Sequence, residues 1–443
     1  MQKILILGAG ESGTGAALLA QQKGYEVLVS DKSAIAEKYK IDLLQNNILV
    51  EEGSHEQAML WTPQLVIKSP GIPEKADIVQ YFLQQNIAVI DELEFALRYT
   101  DAKIIGITGS NGKTTTTLLT YHLLQTAGYN VGLAGNVGFS LAKQVIENKY
   151  DWYVLEISSF QLDGMFESCL DIAMLLNITP DHLDRYNYDL EQYAASKFRI
   201  TQNQSVENLL ITWKEDEIVQ RRLQQRHVTA TQALVSIQGD KNCSAYFDGE
   251  YLVFSDFKIH KKEISLTGKH NYLNAMFAVI AALRAGVGQE AIRKGLLTFV
   301  NAPHRLEPVA HANGIRFIND SKATNVDSVR YALDAIDAPI VWIAGGIDKG
   351  NDYALIGDLV KEKVKLLIAI GKDVTPLQKA FEGIIPIVVA HNITETVQLA
   401  IKNAVQGDTV LLSPACASFD WFKNYEDRGE QFKQLVKKFI SSE

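Results

Sequence analysis

A chain of 443 residues is longer than one ordinary hydrophobic core supports, and at ~100 to 200 residues per domain it predicts three domains. Hydrophobic residues at 47% and charged residues at 21% describe a folded soluble protein, and no apolar run reaches the ~18 residues that a membrane-spanning helix needs. The formal charge of −9 provides no global basic footprint for nucleic acid, although local phosphate sites stay open.

The first residues, "MQKILILGAG", read as a strand rather than a secretory leader, so residence in the cytoplasm is expected. Directly after that strand comes Gly8-x-Gly10-x-x-Gly13, with Asp31 closing the next strand, "EVLVSD". The pattern marks a helix N-terminus close to a diphosphate, and a nicotinamide dinucleotide or a UDP-linked molecule satisfies it equally. "LVIKSP" is a further strand of this first unit.

A second series of strands and helices opens at "KIIGITG". The following "GSNGKTTTT" resembles a phosphate-binding loop, but Ile107 stands where the usual spacing requires its first glycine. A strand-to-helix turn with Gly106, Gly109 and Gly112 still permits close backbone approach, with Lys113 on the β- and γ-phosphates and Thr114 on Mg²⁺. "GNVG" (135–138), "EISSFQL" (156–162) and "NITPDHLDRY" (177–186) follow strands, which makes Glu156 and His182 candidate ligands or orienting groups. From composition alone, Lys197 in "YAASKFRI" reads as a solvated helix lysine. "AYFDGEYLVF" reads as a hairpin turning at Asp248 and Gly249. A last alternating series runs from "IRFINDS" through "PIVWIAGG" and "KLLIAIG" to "DTVLLSPA". Cys169, Cys243 and Cys416 lie far apart and are expected to be buried thiols.

"GITGSNGKTT", "EISSFQL", "NITPDHLDRY", "GKHNYLNAMFA", "APHRLE", "INDSKATN" and "LLSPACASFDWFKNYEDRG" together resemble the ATP-dependent Mur ligases of bacterial peptidoglycan synthesis, over nearly the whole chain. The resemblance implies an α/β fold of three domains. These are a Rossmann-like domain (1–93) for a UDP-linked donor, a central P-loop-type ATPase domain with a mostly parallel sheet (94–301), and a C-terminal Rossmann-like domain (302–443) for an amino acid. Its last two motifs resemble the branch that joins D-glutamate to UDP-N-acetylmuramoyl-L-alanine through an acyl phosphate, acting as a monomer; another Mur ligase or a folylpolyglutamate synthase-like enzyme is the alternative.

Matched position by position, the resemblance implies that Gly109, Ser110, Asn111, Gly112, Lys113, Thr114 and Thr115 hold ATP, joined by Asn271, Asn274, Arg305 and Asp320. Thr114, Glu156, His182 and Lys197 would serve Mg²⁺, with Lys197 carbamylated because an ammonium repels the cation. Ser12, Asp31, Gly71, Asn136, Ser158, Gln161 and His182 would bind the donor. Lys322, Thr324, Lys349, Ser418, Phe419 and Tyr425 would face D-glutamate, although Phe419 and Trp421 read on their own as packing residues. One departure is local: relatives follow the aspartate with Thr-Arg, whereas this chain reads "DKSAI", which leaves Lys32 to replace an arginine fork. Convergence of two domains on one nucleotide implies that the enzyme closes on binding.

Overall fold

The computed structural model describes residues 2–337 and 339–441, which contain three sheets. The first is wholly parallel, in the order β3-β2-β1-β4-β5, built from β1 (Lys3–Leu7), β2 (Glu26–Asp31), β3 (Leu49–Glu52), β4 (Leu65–Lys68) and β5 (Ala88–Asp91). Its central strands read as unbroken apolar runs because helices cover both faces. The order reverses direction between β1 and β4, which opens a crevice at their carboxyl ends.

The second sheet has nine strands: β6 (Lys103–Thr108), β7 (Val131–Gly135), β8 (Trp152–Glu156), β9 (Ile172–Leu175), β10 (Leu209–Trp213), β11 (Thr231–Ser236), β12 (Ala245–Phe247), β13 (Tyr251–Phe254) and β14 (Lys258–His260). Their order is β14-β13-β12-β11-β10-β9-β6-β8-β7. All pairings are parallel except β12 with β13 and β13 with β14, so "AYFDGEYLVF" is the hairpin its turn residues announce. The third sheet, in the order β15-β16-β20-β17-β18-β19, comprises β15 (Glu307–Ala312), β16 (Ile315–Asn319), β17 (Ile340–Gly345), β18 (Val364–Ile370), β19 (Ile387–Val389) and β20 (Thr409–Leu412). β17 is buried along its whole length, between apolar clusters on the two faces of the sheet.

Two compact units result. One comprises Met1–Ile264 with Leu273–Phe299, and the other Ser265–Tyr272 with Val300–Glu443. The first two sheets therefore share one unit, and the stretch "DELEF" joins them. Glu92, fully buried, accepts from Ser140 Oγ (2.7 Å) and Ala142 N (2.6 Å). Glu94 accepts from Glu167 N (3.0 Å) and from Ser168 Oγ and N. Gly15 on helix Glu11–Gln22 lies so close to Ser140 that any side chain there would overlap its hydroxyl. The seam tolerates the Glu94 carboxylate because both of its oxygens meet donors, whereas both bonds to Glu92 fall on one oxygen, Oε1.

Burial, the largest effect, pushes Glu92 up to about 7; Glu11 adds to the rise, while the bonds from Ala142 and Ser140 oppose it. The native state thus keeps a proton that the unfolded chain releases near the ordinary glutamate value, so stability falls as pH rises from about 4.5 towards 7 and is level above that. Glu92→Gln keeps the accepting oxygen and removes the titration. In thermal melts, the variant is expected to be the more stable at pH 8, by up to ~3 kcal/mol, and to converge with the wild type near pH 5. An unchanged difference at both pH values would show that Glu92 does not titrate.

Candidate active site

The displaced glycine of the phosphate-type loop has a packing explanation. Gly106 lies inside β6, where a Cβ would meet Leu170 Cδ1 at 2.5 Å and Ile157 Cδ1 at 3.0 Å, so it serves the core rather than a phosphate cradle. The loop proper turns on Gly112, whose φ of +86° lies in the left-handed region and whose Cβ would stand 2.6 Å from Asn274 Oδ1. Helix Lys113–Thr126 begins there and directs its first N–H groups into the loop.

Neighbouring segments hold that loop in shape. Ser110 N donates to Asn177 O (3.0 Å) and Ser110 Oγ to Thr179 O (2.8 Å). Asn111 exchanges bonds with the Asn177 side chain at 2.8 and 3.0 Å. Asn177 belongs to "NITPDHLDRY", so the motif after β9 clasps the motif after β6 across adjacent strands. Lys113 Nζ folds onto Gly109 O (2.8 Å) and Ser110 O (2.9 Å). Thr114 and Thr115 are buried at the helix start.

Lys197 is not solvated. It is 1% exposed on helix Leu190–Phe198, donates to Gly109 O at 2.8 Å and lies 4.6 Å from the centre of the Tyr193 ring. Burial pushes its amine well below the ordinary lysine range; the nearby Lys113 charge adds to this, against Asp181, Asp163 and Glu156. Glu156 ends β8 beside the loop. Its Oε1 accepts from Asn136 Nδ2 (2.6 Å), while Oε2 is buried with no hydrogen-bond partner. An orphaned carboxylate oxygen, a threonine hydroxyl and a lysine poised to be neutral fit a hard divalent cation, provided the lysine nitrogen becomes an anionic oxygen donor. His182, with φ of +52°, is exposed, 3.6 Å from Asp181 Oδ2 and edge-on to Phe160.

Of the donor-side candidates, Asp31 ends β2, and Ser12 and Gly71 lie beyond the carboxyl ends of β1 and β4, around the crevice of the first sheet. Both Asp31 oxygens brace backbone, accepting from Ala9 N (2.9 Å) and Ser33 N (2.8 Å). Ser158 and Gln161 cap helix Ser159–Leu162 reciprocally, so each has a structural partner before any ligand arrives. Arg185, which sequence reasoning passed over inside "DHLDRY", donates to Gly71 O and Pro70 O at 3.2 Å and lies 4.3 Å from the Phe160 ring centre. A cavity of about 760 Å³ adjoins it, lined also by Lys68 and Asp163.

In the second unit, the candidate loops follow β16, β17 and β20, three neighbouring parallel strands. Asp320 is buried and accepts from Leu306 N (3.1 Å) and Ser413 Oγ (2.8 Å). Burial pushes it up to about 7 against those bonds and the Arg305 charge. Lys322 Nζ donates to Tyr425 Oη at 2.6 Å. Asn271 donates to Thr267 O (2.8 Å). Thr324 is partly exposed; Lys349 is exposed in the loop that Asp348 organises through Gly350 N and Asn351 N. Ser418 is buried, whereas Phe419 is 69% exposed, so the packing reading fails for Phe419 and holds for Trp421. Cys169 is likewise exposed, against expectation; Cys243 is intermediate and Cys416 buried.

The three domain models that match describe a "Mur ligase MurD-like, N-terminal domain" (residues 2–91), a "Mur ligase middle domain" (107–282) and a "Mur ligase, glutamate ligase domain" (304–416). The chain belongs to the Mur ligase family. Its relatives include the UDP-N-acetylmuramoylalanine–D-glutamate ligases of Cytophaga hutchinsonii, 51% identical with 98% of each chain covered, and Bacteroides fragilis, 49% identical over 99% of this chain and all of the other. Among solved structures, the fold is shared with a pseudomurein peptide ligase type C from Methanothermus fervidus (TM-score 0.65, 18% identity, 99% and 100% covered). It is also shared with the UDP-N-acetylmuramate-alanine ligase MurC of Thermotoga maritima (TM-score 0.61, 16% identity, both chains fully covered).

Sequence reasoning also missed Arg428, although its motif was quoted whole. Arg428 is wholly buried and donates to Ser321 Oγ (2.9 Å), Ser321 O (2.8 Å) and Cys416 O (3.1 Å), tying the loop of Lys322 to that of Ser418. Arg428→Met leaves those acceptors without the cation and is expected to cost ~3 kcal/mol, read as a lower denaturation midpoint. A midpoint within error of the wild type would show that the loops hold together without it.

Proposed function

We propose that this Mur ligase adds D-glutamate to UDP-N-acetylmuramoyl-L-alanine, consuming ATP and releasing ADP and phosphate. The observation that carries the reading is the coincidence of the Lys113 loop, orphaned Glu156 oxygen and buried Lys197 in one unit with the lysine-bearing loops after β16 and β17 in the other. Similarity to the D-glutamate ligases of Cytophaga hutchinsonii and Bacteroides fragilis over nearly the whole length supports the choice of acceptor.

In this reading the terminal carboxylate of the donor attacks the γ-phosphorus of ATP, forming an acyl phosphate as ADP leaves. The D-glutamate amine then adds to the acyl carbon, and phosphate departs from the tetrahedral intermediate with the C–O electron pair. A carboxylate has a poor leaving group, which phosphorylation replaces with a good one. Lys113 and the N–H groups of its helix neutralise phosphate charge, and Arg305, Asp320, Asn271 and Asn274 complete the nucleotide contacts. Thr114, Glu156, His182 and Lys197 are assigned to Mg²⁺, which supplies charge neutralisation on phosphate oxygens.

Lys197 suits that set as a carbamate. Its neutral nitrogen adds to CO₂ and loses a proton, which converts a repelled cation into an oxygen-bearing anion. Ser12, Asp31, Gly71, Asn136, Ser158 and Gln161 serve the donor, while Lys322, Thr324, Lys349, Ser418, Phe419 and Tyr425 serve the acceptor, whose two carboxylates need cations and donors. Residues 1–93, 94–301 and 302–443 divide these tasks.

The deciding experiment measures ADP and phosphate release with Mg²⁺-ATP, UDP-N-acetylmuramoyl-L-alanine and a panel of amino acids, with the product weighed by mass spectrometry. Release specific to D-glutamate, with one glutamyl unit added, is expected; turnover only with a different acceptor would refute the assignment of the third-sheet loops. Lys113→Ala and Lys197→Ala are each expected to lose at least ~10³-fold in kcat, with a short carboxylic acid partly restoring the latter. A fully active Lys197→Ala enzyme would remove the carbamate. Lys322→Ala is expected to raise the D-glutamate KM about tenfold while the ATP KM moves little.

A further inference from the structure

The cavity of about 760 Å³ beside Arg185 lies in the seam between the first two sheets. On β4 the alternation of side chains puts Lys68 on the same face as Val66, under helix Asp77–Gln84. The cavity accordingly takes Val79 and Leu83 from that helix and Val89 from β5. Helix Glu11–Gln22, which starts at the crevice of the first sheet, packs with Ile67 and Ile90 on the opposite face. None of Ser12, Asp31, Gly71, Asn136, Ser158 and Gln161 lines the cavity, so it is a second chamber and not an extension of the crevice.

Its charge is one-sided. Five cations, Lys68, Lys75, Arg185, Arg199 and Arg226, line it against two carboxylates, Glu74 and Asp163. Most of the inner groups already have partners. Arg185 donates to Pro70 O and Gly71 O and lies over the Phe160 ring, while Arg199 donates to Leu162 O (2.7 Å) and Met165 O and lies 4.9 Å from the centre of the Phe166 ring. Asp163 accepts from Tyr186 Oη at 2.9 Å.

Lys68 is the exception. It is 7% exposed, its one hydrogen bond among the described residues is a long one to Ile72 O (3.4 Å), and no ion pair to it occurs among them. An ammonium has three donors, and one taken out of water with a single weak acceptor is poorly compensated. Burial pushes its amine below the ordinary lysine range; Asp91 and Asp163 oppose this, and Arg185 adds to it. An anion in the cavity would supply the missing countercharge.

We propose that this cavity binds a small organic phosphate monoester, with the phosphate on Lys68 and the apolar body against Val79, Leu83 and Val89. A phosphate monoester carries close to two negative charges at neutral pH, which suits five cations facing two carboxylates better than a monocarboxylate does. A compact ammonium meets such a group as a point charge. Inorganic phosphate alone would leave the apolar wall in contact with water. The volume falls within the ~300 to 1,000 Å³ usual for small-molecule sites.

The test is calorimetric titration of phenyl phosphate into the full chain with Mg²⁺-ADP, UDP and D-glutamate present in excess, so that the phosphate loop, the crevice and the acceptor loops are already occupied. No turnover is needed. Saturable binding of one equivalent is expected, with benzoate and inorganic phosphate each at least about tenfold weaker. Lys68→Met keeps the unbranched stem and removes the charge; it is expected to lower the affinity for phenyl phosphate at least about tenfold and to abolish the rise in melting temperature that the ligand gives the wild type. A merely structural lysine would shift the melting temperature without ligand and leave that rise intact. Should the methionine variant fail to fold, Lys75→Ala combined with Arg226→Ala removes two exposed cations of the same cavity and is expected to weaken binding about threefold. Absence of binding once the other sites are filled, benzoate binding as tightly as phenyl phosphate, or an affinity unchanged in Lys68→Met would overturn the proposal.

Discussion

A lysine amine sealed from water within the field of a second lysine is electrostatically costly, and the central site is organised around that cost. Lys197 and Lys113 both donate to the carbonyl of Gly109, so one backbone oxygen accepts hydrogen bonds from both side chains. Burial and the Lys113 charge both favour the neutral form of the Lys197 amine, and a neutral amine is a nucleophile. The Oε2 of Glu156 is the complementary feature, a buried acceptor without a hydrogen-bond partner in the same region as the buried Lys197 nitrogen.

Rigid scaffolding gives these groups their positions. The motifs that carry chemistry follow the carboxyl ends of adjacent parallel strands, β6, β8 and β9 in the central sheet and β16, β20 and β17 in the third. Between the first two sheets, the carboxylates of Glu92 and Glu94 take backbone and hydroxyl donors from the opposite side, and helix approach at Gly15 leaves no room for a side chain. The crevice of the first sheet and the loop of Lys113 consequently belong to one compact unit.

Much of the framework was legible because its signals are local. Apolar runs of strand length, glycine at strand-to-helix turns and the Asp248–Gly249 turn each act over a few residues, and all three produced the element read from them. The failures share a cause. Burial depends on segments distant in the chain, so composition made Lys197 a solvated lysine and Cys169 a buried thiol, both wrongly. Gly106 seemed to belong to a phosphate cradle until Leu170 and Ile157 filled the space beside it. Arg185 and Arg428 were visible as letters within quoted motifs, yet their partners Gly71 and Ser321 lie in distant loops.

By itself the sequence determined the alternation of strands and helices, the membership of the family and the identities of the titratable groups available, because these follow from residue type and spacing along the chain. Only the tertiary structure decided which of those groups lose their water and which carboxylate oxygen lacks a partner. Desolvation and hydrogen-bond accounting are properties of all the atoms around a group, and most of those atoms come from elsewhere in the chain.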